Sequence, residues 1–104
     1  MQLTDTGVIT IALLQMEGKL LDVDANTAKA EAFCRRAAAL GADIAVFPEL
    51  FSTGDENLGP EQTEAVARWH SFATPVDGPW PSRFSALARN LDMAIVCTYL
   101  EARD

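Results

Sequence analysis

The sequence has few basic residues, and few of the histidines and cysteines that hold zinc ions. Eight lysines and arginines stand against fifteen aspartates and glutamates, which gives the 104 residues a net charge of −7. This acidic balance argues against nucleic acid or an anionic membrane as a partner, because both attract basic patches. The one histidine, His70, has no second histidine or cysteine at ligand spacing, so we expect no metal site. No GxGxxG or Walker-type phosphate loop occurs, and we expect no cofactor.

Long hydrophobic runs and a cysteine framework are also missing. The longest apolar runs are far shorter than the ~20 residues that span a bilayer. Residues 1–7 show no basic region ahead of an apolar stretch. We therefore expect neither a membrane span nor a secretory signal, and a cytoplasmic location. Cys34 and Cys97 form no CxxC pair, which favours two reduced, buried side chains over a disulfide.

The apolar segments alternate with helical ones and predict an α/β fold in one small globular domain. Hydrophobic residues make up 49% of the chain, more than a disordered chain of this charge contains. Strands are expected at residues 8–14, 44–47 and 93–100. Nearly all side chains in these segments are apolar, which is typical of strands inside a parallel sheet. We expect the first strand to be central, and right-handed crossovers to make all three strands parallel.

Three helices are expected between and beside the strands. Helical segments are predicted at residues 24–40, at 60–73 and from about residue 82 onwards. Asp24 or Asn26 should cap the first helix, because either side chain can accept from a free N–H of the first turn. The proline-rich residues 74–81 predict a stiff loop within one domain rather than a flexible linker.

Residues 41–51 contain the position that best suits chemistry. Gly41 fits a helix end, residues 44–47 fit a short buried strand, and Pro48 must end that strand because it has no N–H. Glu49 is then the first polar side chain beyond the carboxyl end, which is the edge where open α/β sheets bind ligands. A glutamate in a loop is most often a solvated surface residue. The functional interpretation is a general base held between apolar neighbours.

Residues 42–54 resemble the first catalytic motif of the nitrilase, or carbon–nitrogen hydrolase, superfamily. Residues 9–15 resemble that family's first strand, which ends in glutamine, and residues 87–101 fit its next helix and strand. The resemblance covers residues 9–102. It implies a βαβαβ portion, with parallel strands, of the family's four-layer α-β-β-α sandwich. Residues 1–104 would be the N-terminal portion of a single, incomplete hydrolase domain.

The resemblance implies hydrolysis of amide, nitrile or N-carbamoyl substrates by a Glu-Lys-Cys triad. In the family the glutamate is the general base, and Glu49 is the only catalytic residue that the resemblance assigns here. The family's lysine follows the third strand and its cysteine comes later still, so the 104 residues alone are expected to be inactive. Lys19 precedes Glu49, and Cys97 lies in mid-strand without the nucleophile's local motif. A small-molecule substrate and homo-oligomeric assembly are implied as well.

Two other interpretations stay open. The chain also suits a non-catalytic α/β interaction or binding module derived from that fold. A nucleotide-binding domain is a weaker possibility, since the phosphate loop is missing. Glu101 follows the third strand and should share the edge that holds Glu49. We expect a structural role for Glu101, bonded to backbone or to an arginine.

Overall fold

The computed structural model describes residues 7–55 and 58–103. The elements in chain order are β1 (Ile11–Leu13), α1 (Val23–Ala39), β2 (Ile44–Val46), α2 (Thr63–His70), α3 (Pro79–Leu91) and β3 (Ala94–Val96). The strands form one parallel sheet in the order β1-β2-β3, which confirms the predicted α/β class. No helix in this part of the chain is both long and apolar enough to cross a bilayer. Residues 1–7, which showed no secretory signal pattern, lie outside the described residues apart from Gly7.

β1 lies at the edge of the sheet among the described residues, whereas the sequence predicted a central first strand. β2 is central instead, because it pairs with β1 on one side and with β3 on the other. β1 is also shorter than predicted, since it runs from Ile11 to Leu13. The Thr10 N–H donates to the Asp43 carboxylate at 2.8 Å, and the Thr10 carbonyl accepts from the Asp43 N–H. Regular pairing therefore begins only with Ile11 opposite Ile44.

Helices cover only one face of the sheet among the described residues. Ala45 of β2 points to that covered face and is fully buried. The buried core on that side consists of Leu14, Met16, Ala30, Cys34, Ala37, Ala45, Phe47, Phe51, Trp80, Phe84, Leu87 and Met93. α3 packs on β3, and α1 packs on α3. Strands of such apolar composition are typical of the inside of a parallel sheet, yet here they are covered on one face only among the described residues.

The opposite face is apolar and open. Side chains alternate along a strand, so the residues flanking Ala45 and their neighbours in register share this second face. It consists of Ile11, Leu13, Ile44, Val46, Ala94 and Val96, and we call it the open sheet face. Ile11, Leu13 and Val96 are 55%, 70% and 49% exposed. A contiguous exposed apolar surface of this kind is typical of a surface that another structure covers.

α1 begins earlier than predicted because Asp22 caps it, rather than Asp24 or Asn26. The Asp22 carboxylate accepts from the Ala25 N–H at 3.1 Å. The helix then runs from Val23 and ends at the predicted place, with Leu40 as its C-terminal cap. The Asn26 side chain therefore does not cap the helix. It bonds instead to the loop after β1 and to the segment after β2.

α3 begins inside the segment that was predicted to be a stiff loop. Pro79 occupies its first turn, where a missing N–H costs nothing. The next residue, Trp80, is buried, and its Nε1 donates to the Thr27 hydroxyl of α1 at 3.0 Å. This contact between two helices fixes the start of α3. α2 is shorter than expected, beginning at Thr63 rather than at Pro60.

Candidate active site

Glu49 lies at the carboxyl edge of the sheet, where the sequence placed it. The Phe47 N–H extends β2 by donating to the Val96 carbonyl at 3.0 Å. Pro48 has no N–H to continue the ladder, and the chain turns. Phe47 and Phe51 are 4% and 2% exposed, with ring centroids 5.9 Å apart, whereas Glu49 between them is exposed. The aromatic neighbours therefore anchor the turn in the core and do not enclose the carboxylate.

A cleft of about 440 Å³ opens beside this turn. It is lined by Glu49, Leu50, Cys97, Thr98, Tyr99 and Glu101. A second hollow, of about 460 Å³, lies between the ends of β1 and β2, with Gln15 and Pro48 among its lining residues. The ends of the two strands share one edge, as their parallel pairing requires. Both hollows lie beside the segment that carries Glu49, and each is large enough for a small molecule.

Glu101 lies at the same edge and makes structural contacts. Its carboxylate accepts from Arg103 Nε at 3.0 Å, which confirms the expected contact with an arginine. Its backbone neighbours tie down the loop before α3. The Thr74 N–H donates to the Leu100 carbonyl at 3.0 Å, and the Ala102 N–H donates to the Thr74 carbonyl at 2.9 Å. Glu101 and Glu49 therefore line one cleft, while the Glu101 segment also holds a loop in place.

Asn26 connects the loops that follow β1 and β2. Its side chain is buried, at 1% exposure, and it is fully bonded. The amide nitrogen donates to the Lys19 carbonyl at 2.8 Å and to the Ser52 carbonyl at 3.2 Å. The amide oxygen accepts from the Lys19 N–H at 2.7 Å. One side chain thereby fixes the turn after Glu49 relative to the loop after β1.

Replacing Asn26 with alanine should lower the free energy of unfolding by about 2–3 kcal/mol. The substitution removes three hydrogen bonds and leaves the buried Ser52 carbonyl without a partner. Urea denaturation of the full-length protein measures the change. The matched control is Asn90→Ala, at an exposed position of α3, which should change stability by less than about 0.5 kcal/mol. Equal losses in the two variants would contradict the connecting role of Asn26.

Neither cysteine has the character of a nucleophile. Cys34 is buried, Cys97 is half-buried, and both are free thiols. Burial raises the pKa of the Cys34 thiol to about 11, with further increases from Cys97 and Glu31. Burial also raises the pKa of the Cys97 thiol above its ordinary value. A nucleophilic cysteine needs a lowered pKa, which neither thiol has, although Cys97 lines the cleft.

Other titratable candidates have ordinary surface surroundings. His70 is exposed at the end of α2, with its ring centroid 5.7 Å from that of Trp69. Lys19 is also exposed, and its ammonium group lies 3.7 Å from the Asp22 carboxylate. Within residues 7–55 and 58–103, no three side chains of the metal-binding types come together. His70 and Lys19 do not line the cleft beside Glu49.

Thr98 also bonds to the turn that carries Glu49, although no sequence pattern pointed to it. Its hydroxyl accepts from the Phe51 N–H at 3.1 Å and donates to the Pro48 carbonyl. These partners lie 47 and 50 residues away along the chain. No local pattern could have revealed the contact, because it depends on the pairing of β2 with β3.

The architecture is that of an α/β protein with an acidic side chain at the carboxyl edge of a parallel sheet. The family profile described as "Carbon-nitrogen hydrolase" matches residues 10–104. The chain belongs to the carbon–nitrogen hydrolase family.

Individual relatives agree with this assignment. The chain is 31% identical over 103 residues to a bifunctional nitrilase/nitrile hydratase of Lupinus angustifolius, covering 89% of the chain and 29% of that protein. It is 28% identical over 106 residues to an aliphatic nitrilase of Rhodococcus rhodochrous. This match covers 96% of the chain and 28% of that protein. Among solved structures, an amidase from Nesterenkonia sp. matches with a TM-score of 0.57 and 27% identity, over 84% of this chain and 30% of that one. The chain thus spans about three tenths of the length of these relatives.

Proposed function

We propose that the protein containing this chain hydrolyses a non-peptide carbon–nitrogen bond in a small amide, nitrile or N-carbamoyl substrate. The supporting observation is Glu49, exposed beside a cleft at the carboxyl edge of the central strand, within the segment that the family profile matches. The relatives include a nitrilase and an amidase, which supports this class of substrate. A cytoplasmic location and homo-oligomeric assembly belong to the same proposal.

Glu49 acts as the general base of a Glu-Lys-Cys triad in the proposed mechanism. For an amide, Glu49 removes the proton of the cysteine thiol as the sulfur attacks the carbonyl carbon. The proton passes to the leaving nitrogen, which departs as ammonia or an amine and leaves a thioester. Glu49 then activates the water that hydrolyses the thioester. The lysine stabilises the negative oxygen of the tetrahedral intermediates.

The lysine and the cysteine of the triad come from outside these 104 residues on this proposal. Lys19 and Lys29 both precede Glu49, and the Lys29 ammonium donates to a loop carbonyl at 2.8 Å. Cys34 and Cys97 have raised pKa values, contrary to what a nucleophile needs. Residues 1–104 then form the N-terminal portion of a single hydrolase domain, whose remainder covers the open sheet face.

The test of the proposed function is ammonia release by the full-length protein. The panel contains an aliphatic amide, an aliphatic nitrile and an N-carbamoyl amino acid. Turnover of at least one substrate is expected, together with its loss after the protein is treated with iodoacetamide, which alkylates the nucleophilic cysteine. Absence of turnover across the panel, or turnover that survives alkylation, contradicts the proposal. The first of these results would favour a non-catalytic interaction or binding module instead.

A further inference from the structure

The turn that carries Glu49 is held by one side chain from the segment after β3. The Thr98 hydroxyl accepts from the Phe51 N–H at 3.1 Å and donates to the Pro48 carbonyl. These two backbone groups flank Glu49 and Leu50. In a β-turn such a carbonyl and the N–H three residues later commonly bond to each other directly. Here the hydroxyl of Thr98 lies between them and bonds to both.

This turn needs support from its surroundings because its backbone is strained. Leu50 has a φ of 46°, in the left-handed region that residues with a Cβ rarely adopt. Conformations of this kind persist only where neighbouring structure holds them, and they cluster at functional sites. Thr98 supplies a third contact, since its carbonyl accepts from the Ser52 N–H at 3.3 Å. The Leu100 N–H adds a longer bond, 3.4 Å, to the Ser52 hydroxyl.

We infer that Thr98 is a positioning residue for the general base. Its hydroxyl fixes the backbone on both sides of Glu49 and so sets where the carboxylate can reach. The inference rests on the proposed role of Glu49, and it assigns Thr98 no direct part in the chemistry. A general base must lie within hydrogen-bond reach of the proton it removes. A displacement of about 1 Å can lower the rate by about 100-fold.

Thr98→Val in the full-length protein removes the hydroxyl and keeps the branched shape. The expected result is a fall in kcat of about 10- to 100-fold, with KM within about twofold of the wild-type value. Thr98→Ala removes the same hydroxyl from a smaller side chain and should give a similar fall. Thr98→Ser keeps the hydroxyl and should restore kcat to within about threefold of wild type. Rates are normalised to the folded fraction, measured by circular dichroism.

Thr27→Val is the matched control for loss of a threonine hydroxyl elsewhere. The Thr27 hydroxyl donates to the Val23 carbonyl at 2.7 Å and accepts from Trp80 Nε1 at 3.0 Å, between α1 and α3. This variant should lower the thermal midpoint while kcat stays within about twofold. A comparable loss of kcat in Thr27→Val would mean that general destabilisation explains the effect, and it would overturn the inference.

Coupling to Glu49 separates positioning from an independent role. In Glu49→Asp the carboxylate is already displaced, so adding Thr98→Val should lower kcat by less than about threefold further. The inference is overturned if the full Thr98→Val factor persists in that background, if Thr98→Val retains wild-type kcat, or if Thr98→Ser fails to restore activity. The proposed function fails separately, through absence of turnover across the substrate panel, whereas near-normal activity of Glu49→Gln would overturn both the role of Glu49 and this inference.

Discussion

Glu49→Gln in the full-length protein should lower kcat/KM by on the order of 10³-fold and leave the fold intact. The amide has nearly the size and shape of the carboxylate but cannot accept a proton, so the substitution removes general base catalysis from both chemical steps. Glu49 is exposed, and substitutions at exposed positions usually change stability by less than about 0.5 kcal/mol. Steady-state ammonia release measures the rate, and urea denaturation measures the stability.

Glu64→Gln is the matched control for this experiment. Glu64 is an exposed glutamate in the first turn of α2, outside the cleft that Glu49 lines. The same change of charge there should leave kcat/KM within about twofold. Near-normal activity of Glu49→Gln would remove Glu49 from the mechanism. Equal losses of kcat/KM in both variants would mean that the change in net charge, and not the loss of a base, explains the effect.

The isolated 104-residue chain should show no hydrolysis above the background rate on any substrate of the panel. It supplies the proposed base, but Cys34 and Cys97 have raised pKa values. Lys19 and Lys29 lie in the chain before Glu49 rather than after the third strand. Without a nucleophile and an oxyanion donor, a general base alone cannot form or stabilise the tetrahedral intermediate. Ammonia release at high chain concentration measures this.

The isolated chain with Glu49→Gln serves as the blank. Turnover by the isolated chain that disappears in this variant would mean that the 104 residues contain a complete site. Sizing of the same sample tests the open sheet face. Aggregation is expected, because Leu13 and its apolar neighbours have no cover in the described chain. A discrete folded oligomer would favour the interaction module.

The presence of strand β2 and the position of Glu49 after it could be predicted because their signals are local. Residues 44–47 are apolar, Pro48 cannot continue a ladder, and Glu49 follows directly. The predicted right-handed crossover also requires β1 and β2 to be parallel, as the structure shows. The role proposed for this glutamate comes from the family resemblance of residues 42–54 and not from the strand pattern.

The place of β1 in the sheet could not be predicted from its composition. Its apolar residues fit a central strand, yet Ile11 and Leu13 are exposed at an edge among the described residues. An apolar pattern indicates that a strand is suited to burial. It does not indicate which other element covers that strand. The order of strands depends on long-range pairing.

The hydrogen bonds that support the site could not be predicted from the sequence either. Asp24 or Asn26 was predicted to cap α1, and the structure assigns the cap to Asp22. Asn26 then bonds to a carbonyl 26 residues away, and Thr98 bonds to groups 47 and 50 residues away. Side chains that bridge distant segments carry no local signature.

Single-turnover ammonia release by the full-length protein tests the central claim most directly. With enzyme in excess over substrate, the rate of the first turnover reports the chemical steps without product release. We expect Glu49→Gln to be slower than wild type by the same factor, on the order of 10³, that separates their steady-state rates. A first turnover by folded Glu49→Gln within about threefold of the wild-type rate would contradict the assignment of Glu49 as the general base.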